Sequence, residues 1–298
     1  MADTRIKKNK IIPALVIFLA VFFLPSYEPT PTYQGRILYQ TQSFYGDIKI
    51  IKVGPYRCLF VNGAGQSCLK EDKKSDSAYI RQIAEVVSQI NPRKILLMGM
   101  AGGAVLSVLP SKAEIEVVEI DPKVVNSARK YDLMPEKDYT IFYDDARRFV
   151  RKRNNDYDLI IMDLALGDNL PFYMLTKEAF GDIRNLMAER GVFFIHLSIF
   201  PEEKDDPFLN SVVKTLGQVM DGIEVVSTTP EKLSNVSILG SLGPEIRWEK
   251  FYKFSDFDLS RALTITDNYN PLEGYFLPHV LDLRKGEKAL GLDVYLVN

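Results

Sequence analysis

The chain has 298 residues, 46% of them hydrophobic and 26% charged, with 37 basic and 39 acidic side chains giving a net charge of −2. That length holds one large α/β domain with an appendage, or two modest domains, and the composition is that of a folded globular body. The charge balance excludes a nucleic-acid binder built on a basic surface, and two histidines and two cysteines at these separations make no metal-ligand set.

The first element is an apolar run of fourteen residues, Ile11 to Leu24, behind Arg5, Lys7, Lys8 and Lys10. It is shorter than the roughly 20 residues that cross a bilayer squarely. It fits a signal-peptide core, but Pro25-Ser26-Tyr27-Glu28-Pro29 is a poor cleavage site, so the expectation is an uncleaved signal anchor over 1–24 and attachment to a membrane. The basic cluster would stay in the cytoplasm and place the folded body outside it. An enzyme that uses a cytosolic nucleoside needs the opposite side. Residues 25–35, rich in proline and threonine, read as a linker.

From 36 to 74 the pattern is a small antiparallel β domain, with strands expected at 37–42, 47–53, 57–61 and 66–69. Cys58 and Cys68 flank a hairpin; a three-residue loop at 62–64 sets them opposite each other within disulfide reach, which would support export. The alternative is two unpaired thiols, one of them buried. Residues 77–90 carry apolar side chains at helical spacing. Strands then alternate with helices: strands at 94–99, 115–120, 139–144, 158–163, 192–198, 223–228 and 236–241, helices at 103–109, 122–131, 146–154, 176–189 and 206–221. That is an α/β domain over 75–245 with a seven-stranded, mostly parallel sheet covered on both faces. Its last two strands read as an antiparallel hairpin. The extension 246–298 has no clear pattern.

Ligands of such sheets sit at the carboxyl ends of the strands. The first parallel strand ends in Gly99-Met100-Ala101-Gly102-Gly103, and the second ends in Glu119 and Asp121, with Glu119 20 positions past Gly99. Glycines let backbone approach a nucleoside, and a carboxylate at the next strand tip can accept two hydrogen bonds from a ribose diol. A tight strand-to-helix turn also selects glycine. The third strand ends in Asp144-Asp145, where a carboxylate could accept from an adenine amino group, and the fourth in Asp163, beside the loop 164–171. Acidic residues at such positions also serve as helix N-caps; their convergence on one cleft favours a site. His196 reads as a core or rim histidine, and His279 stands alone in the tail. No Ser-His-Asp order and no phosphate loop is present.

In order, YGDIKII, LFVNGAGQ, Tyr79, KILLMGMAGG, VVEIDPKVV, YDDARRF, YDLIIMDL and LTKEAF resemble the spermidine synthase (polyamine aminopropyltransferase) family over about residues 36–200. Ile265 to Glu273 (ITDNYNPLE) is similar to a signature of a membrane-associated branch. The resemblance implies a methyltransferase-type Rossmann fold behind a small β domain, a homodimer, and transfer of an aminopropyl group from decarboxylated S-adenosylmethionine, a co-substrate and not a resident cofactor, to an amine. It implies that Glu119 takes the ribose hydroxyls, that Asp145 takes the adenine amino group, and that Gly99, Gly102, Gly103, Asp121 and Gln66 belong to the nucleoside site. Asp163 would stand near the attacking amine, with Tyr79 on the wall. The chain departs from the family pattern at Gly102 and Leu166, where the family has aspartates, and at Gly46, where it has glutamine; Asp168, two residues past Leu166, is a candidate substitute for the second aspartate. Without the aspartate at 102, S-adenosylmethionine itself becomes a candidate co-substrate. That leaves methyl transfer, or a membrane-tethered protein without turnover, as alternative readings.

Overall fold

The computed structural model describes residues 35–154, 156–199, 201, 205–227, 236–243, 245–255 and 257–289. The expectation of a membrane-anchored chain is corrected: among the described residues no helix is long and apolar enough to cross a membrane. The run Ile11–Leu24 and its basic flank lie outside the described residues.

β1 (Gly35–Gln42), β2 (Asp47–Val53), β3 (Tyr56–Val61) and β4 (Ala64–Lys70) form an antiparallel meander in that order. Period-two alternation sorts its side chains: Ile48, Ile50, Leu59, Val61 and Leu69 pack toward the main domain, while Ile51, Cys58 and Phe60 cluster on the opposite face. The β3–β4 loop has two residues where three were expected. Asn62 and Gly63 both adopt positive φ (50° and 79°), the conformation that matches strand twist in a tight hairpin. The spare residue is taken up by a bulge, since Leu59 faces Ser67 and Phe60 faces Gly65, which leaves Gln66 extruded. Cys58 and Cys68 face each other across the strands and are joined by a disulfide.

Among the described residues the larger sheet has eight strands where seven were expected, in the order β12-β10-β11-β9-β8-β5-β6-β7. β5 (Lys94–Met98), β6 (Glu114–Glu119), β7 (Thr140–Tyr143), β8 (Tyr157–Met162) and β9 (Met187–Leu197) are parallel. β11 (Val236–Ser241) runs antiparallel between β9 and β10 (Gly222–Ser227), and β12 (Tyr252–Phe254) adds an antiparallel edge strand beside β10. The near-continuous apolar runs reflect burial on both faces. Leu96, Met98, Ile160, Met162, Phe193 and Ile195 feed one core, and Ile95, Leu97, Leu159, Ile161, Val192 and Phe194 the other.

The helices are α1 (Ala78–Ile90), α2 (Pro122–Lys130), α3 (Ala146–Arg151), α4 (Lys177–Arg184), α5 (Pro207–Gly217) and α6 (Leu272–Ala289). Asp121, Asp145, Thr176 and Asp206 each cap a helix through a side-chain oxygen on a backbone N–H. Two expected helices are corrected. Residues 103–109 hold only a 3-10 turn, Val105–Val108. The helix expected over 176–189 stops at Arg184, because β9 already begins at Met187. The described residues cluster as one compact unit.

Candidate active site

β6 and β7 lie on one side of β5 and β8 lies on the other, so the strand order reverses between β5 and β8. That switch point opens a crevice at the carboxyl ends of the strands. Here it is roofed by the β3–β4 hairpin and the start of α1 to give a cavity of about 350 Å³.

The glycine turn is shaped by the neighbouring strand. Gly99 has φ +87°, and a Cβ there would lie 2.0 Å from the Asp163 carbonyl oxygen, so only glycine fits. Gly99, Met100 and Ala101 line the cavity, whereas Gly102 and Gly103 do not. The Gly102 N–H donates to Ser67 Oγ (3.2 Å), and a Cβ on Gly102 would meet the Ser67 Cβ at 2.7 Å. The hairpin therefore occupies the space an aspartate at 102 would need. Gly46 shows the same substitution of one filler for another: a Cβ there would meet the Asn62 side chain at 2.4 Å, and Asn62 Oδ1 accepts from the Asp47 N–H.

Glu119 ends β6 with its carboxylate buried. Oε2 accepts from the N–H groups of Met100 (3.0 Å) and Ala101 (3.4 Å), and Oε1 accepts from that of Asp121 (2.9 Å). Burial pushes its pKa up, against the pull of those three N–H bonds. Asp121 spends Oδ1 on the Lys123 N–H as the cap of α2; its Oδ2 is buried in the cavity wall with no partner among the described residues. Asp145 caps α3 through Oδ1 and accepts from the Tyr173 hydroxyl on Oδ2 (2.7 Å). Asp144 Oδ1 takes the Asp145 N–H and the Arg148 guanidinium.

Asp163 follows β8 and faces α1. Its Oδ2 accepts from the Tyr79 hydroxyl at 3.1 Å. Burial raises the Asp163 pKa to about 6; the Tyr79 bond opposes that rise and the charge of Glu119 adds to it. The Tyr79 ring stacks on His196 with centroids 3.9 Å apart and planes 10° from parallel. His196 lies in β9 with Nε2 3.4 Å from Ser198 Oγ, and burial lowers its pKa to about 3, which keeps it neutral. Bulged Gln66 lines the cavity and donates from Nε2 to the carbonyls of Gly167 (3.1 Å) and Ala64 (3.3 Å), tying the hairpin to the loop 164–171.

Of the residues singled out in the sequence, the structure brings Gln66, Tyr79, Gly99, Glu119, Asp121, Asp145 and Asp163 around one cavity. Sequence reasoning missed Tyr173, Ser198, Phe276 and Ser67, which line the same cavity, and underrated His196, which does too. Phe276 had no signal, because it arrives from the C-terminal extension. That extension has a second use. Buried Arg147 binds Asp267 (3.1 Å), Thr176 Oγ1 (3.2 Å) and the Tyr173 carbonyl (3.1 Å), while Thr176 Oγ1 donates to Asp267 (2.7 Å). Residues 265–273 thus clamp the loop that carries Tyr173, and the membrane-branch resemblance they suggested gains no support. Among the described residues no group of His, Cys, Asp and Glu could hold a metal ion.

Known proteins resemble this chain in sequence and fold. The spermine/spermidine synthase domain model matches residues 76–245. The polyamine aminopropyltransferase of Vibrio vulnificus is 28% identical over 197 residues, which cover 61% of this chain and 65% of that protein. The polyamine aminopropyltransferase of Streptococcus pneumoniae is 30% identical over 183 residues, 57% of this chain and 63% of that protein. The chain thus spans less than two thirds of the length of these curated relatives. Among solved structures, a probable spermidine synthase from Corynebacterium glutamicum superposes with a TM-score of 0.60 at 18% identity, covering 82% of this chain and 99% of that one. Spermidine synthase from Thermotoga maritima gives 0.55 at 21% identity, covering 86% and 88%. At these identities the structural likeness speaks for the methyltransferase-like fold.

Proposed function

Because this chain belongs to the spermine/spermidine synthase family, we propose that it binds decarboxylated S-adenosylmethionine at the ends of β5, β6 and β7 and transfers the aminopropyl group to an amine. The observation that carries this reading is Asp163: a carboxylate buried at the strand-order switch, held by Tyr79, with a pKa of about 6, in the same cavity as Glu119, Asp121 and Asp145. Glu119 and the unpartnered Asp121 Oδ2 would take ribose hydroxyls, and Asp145 the adenine amino group. Gly99 would let the backbone approach the nucleoside, with Gln66 holding the roof; Gly102 and Gly103 would shape the turn from behind.

The reaction balances without any further group. The acceptor amine loses a proton to Asp163, and its freed lone pair attacks the methylene carbon beside the sulfonium. As the new C–N bond forms the C–S bond breaks, its electron pair stays on sulfur, and neutral methylthioadenosine leaves. Asp163 then releases the proton to solvent. Acidic walls around the donor favour a cationic sulfonium in the ground state; a carboxylate at the amine accelerates its loss of a proton. The homodimer implied by the resemblance is part of this reading and is checked by analytical ultracentrifugation.

Calorimetry with methylthioadenosine, followed by mass spectrometry of reactions containing decarboxylated S-adenosylmethionine and amines, tests the proposal. Binding plus an aminopropylated product supports it, and no binding of any adenosyl nucleoside overturns it. One observation favours a second reading, S-adenosylmethionine-dependent methyl transfer: Ser67 fills the space at Gly102, so no carboxylate on the turn awaits the donor's ammonium. Tighter binding of S-adenosylmethionine than of its decarboxylated form would decide for that alternative.

A further inference from the structure

The cavity has two chemically different ends. Glu119, Asp121, Asp144 and Asp145 stand at the ends of β6 and β7. Around Asp163 the lining is Leu164, Leu166, Leu170, Pro171 and Phe276, with Asp168, His196 and Ser198 as polar members. Phe276 is a fixed wall: it is buried and packs against Phe172 (5.5 Å) and Phe208 (5.2 Å). Behind Leu164 and Leu170 lies a second small void of about 10 Å³, bounded by Met162, Leu175 and Leu197, with His196 as its polar lining residue. The apolar character therefore continues past the first layer of side chains. His196 is neutral and carries no charge into this region.

From this lining we propose that the acceptor is a primary amine with one nitrogen and an uncharged hydrocarbon tail, the amine on Asp163 and the tail against Leu164, Leu170 and Phe276. The inference rests on the aminopropyl-transfer reading and names its acceptor class. The amine satisfies its charge on Asp163. A second ammonium at the far end of the acceptor would be stripped of water among leucines and phenylalanine, where a charge without a partner is strongly disfavoured. An alkyl chain of the same length gains by leaving water there. Asp168 is the other carboxylate on this loop. It lines the same cavity from the tip of the Leu166–Asn169 turn, on the side where the adjoining Gly167 packs on the hairpin residues Asn62 and Val61 and is held by Gln66.

The test uses the full chain and two acceptors that differ only in the second amino group, n-pentylamine and cadaverine, each with decarboxylated S-adenosylmethionine. The expected result is a kcat/KM for n-pentylamine at least about tenfold above that for cadaverine. Leu166 is half-buried and lines the cavity, so Leu166→Asp should shift the ratio roughly tenfold toward cadaverine, with methylthioadenosine binding as the control for folding. Equal use of the two amines, or preference for cadaverine, overturns the inference and leaves aminopropyl transfer standing; loss of that preference in Asp168→Asn would identify Asp168 as the second anchor. Transfer to neither amine, with methylthioadenosine still bound, overturns aminopropyl transfer itself and the acceptor class with it.

Discussion

The two ends of the cavity are built by opposite rules. At the nucleoside end, the carboxylates already serve the fold. Glu119 gathers the N–H groups of the glycine turn, and Asp121 and Asp145 cap the helices that follow their strands. At the acceptor end the Asp163 carboxylate stands against a tyrosine, a neutral histidine and apolar walls, and its burial opposes its own ionisation. The first end is stable before any ligand arrives. The second is held in a costly state whose use is chemical. Substitutions should therefore lower stability at the nucleoside end and raise it at the acceptor end, and the two should separate binding from turnover.

The largest expected effect is at Asp163. Asp163→Asn removes the base and should lower kcat by about 10³-fold, within the range for general-base catalysis, while changing the Kd for methylthioadenosine less than about threefold. The same change should stabilise the fold at neutral pH. The Asp163 carboxyl ordinarily titrates near 3.8 and here near 6, because burial resists its charge. The folded state thus holds the proton more tightly than the unfolded chain. Stability from this group is complete below pH 3.8 and is lost as pH rises through about 6. Removing the charge should recover on the order of 2 kcal/mol at pH 8, read by chemical denaturation. An Asp163→Asn protein no more stable than the parent would break the comparison.

Glu119→Ala should show the reverse. It strips the acceptor from three backbone N–H groups and the anchor from the ribose, so nucleoside affinity should fall by about 10²-fold and stability by roughly 2–3 kcal/mol. Glu119→Gln, which keeps an acceptor oxygen, should fall between. Unchanged nucleoside binding in Glu119→Ala would show that the ligand lies elsewhere in the cavity.

The same contrast explains what could be read from the sequence. Glu119, Asp121, Asp145 and Asp163 were legible because each sits at or just past the end of an apolar run, where strand periodicity stops and a turn or helix cap must follow. The parallel strands were legible for the same reason, being buried on both faces. What was illegible depends on contacts made far along the chain. The edge strand Tyr252–Phe254 is three residues long and exists only by pairing with β10. The helix read through residue 189 had apolar spacing at Phe180, Ile183, Leu186 and Met187, but Met187 pairs beside Tyr157 of β8 and starts a strand. His196 fell in an apolar run and so resembled core, while its stacking on Tyr79 joins positions more than a hundred residues apart. Phe276 belongs to a segment without periodic pattern, and only packing against Phe172 and Phe208 brings it to the site.

Tyr79 is the group through which the acceptor end is tuned. Its hydroxyl donates to Asp163 and so favours the carboxylate, partly offsetting the burial that raises the pKa. With wild-type protein, kcat/KM should rise with pH and level off above about 6, the value at which Asp163 becomes a base. Tyr79→Phe keeps the stack on His196 but loses the donor, so the acid limb should move to higher pH and the plateau fall by about tenfold. A limb that stayed in place would mean that the hydroxyl does not touch the ionising carboxylate.

The smallest effect should come from Ser67, and it sharpens the boundary between roof and turn. Ser67 Oγ is the partner of the Gly102 N–H, and the side chain fills the space a Cβ at 102 would need. Ser67→Ala leaves that N–H without an acceptor but keeps most of the packing, at a cost of about 1–2 kcal/mol in stability. Ser67 lines the cavity, but its hydroxyl serves the Gly102 N–H, so kcat and acceptor preference should stay within about twofold of the parent. The hairpin also holds the loop 164–171 through Gln66, and the Cys58–Cys68 disulfide closes the strands on which both Gln66 and Ser67 ride. If Ser67→Ala instead altered the choice between n-pentylamine and cadaverine, the roof would be transmitting strain from the glycine turn to the acceptor loop. The two ends of the cavity would then be one coupled device rather than two independent ones.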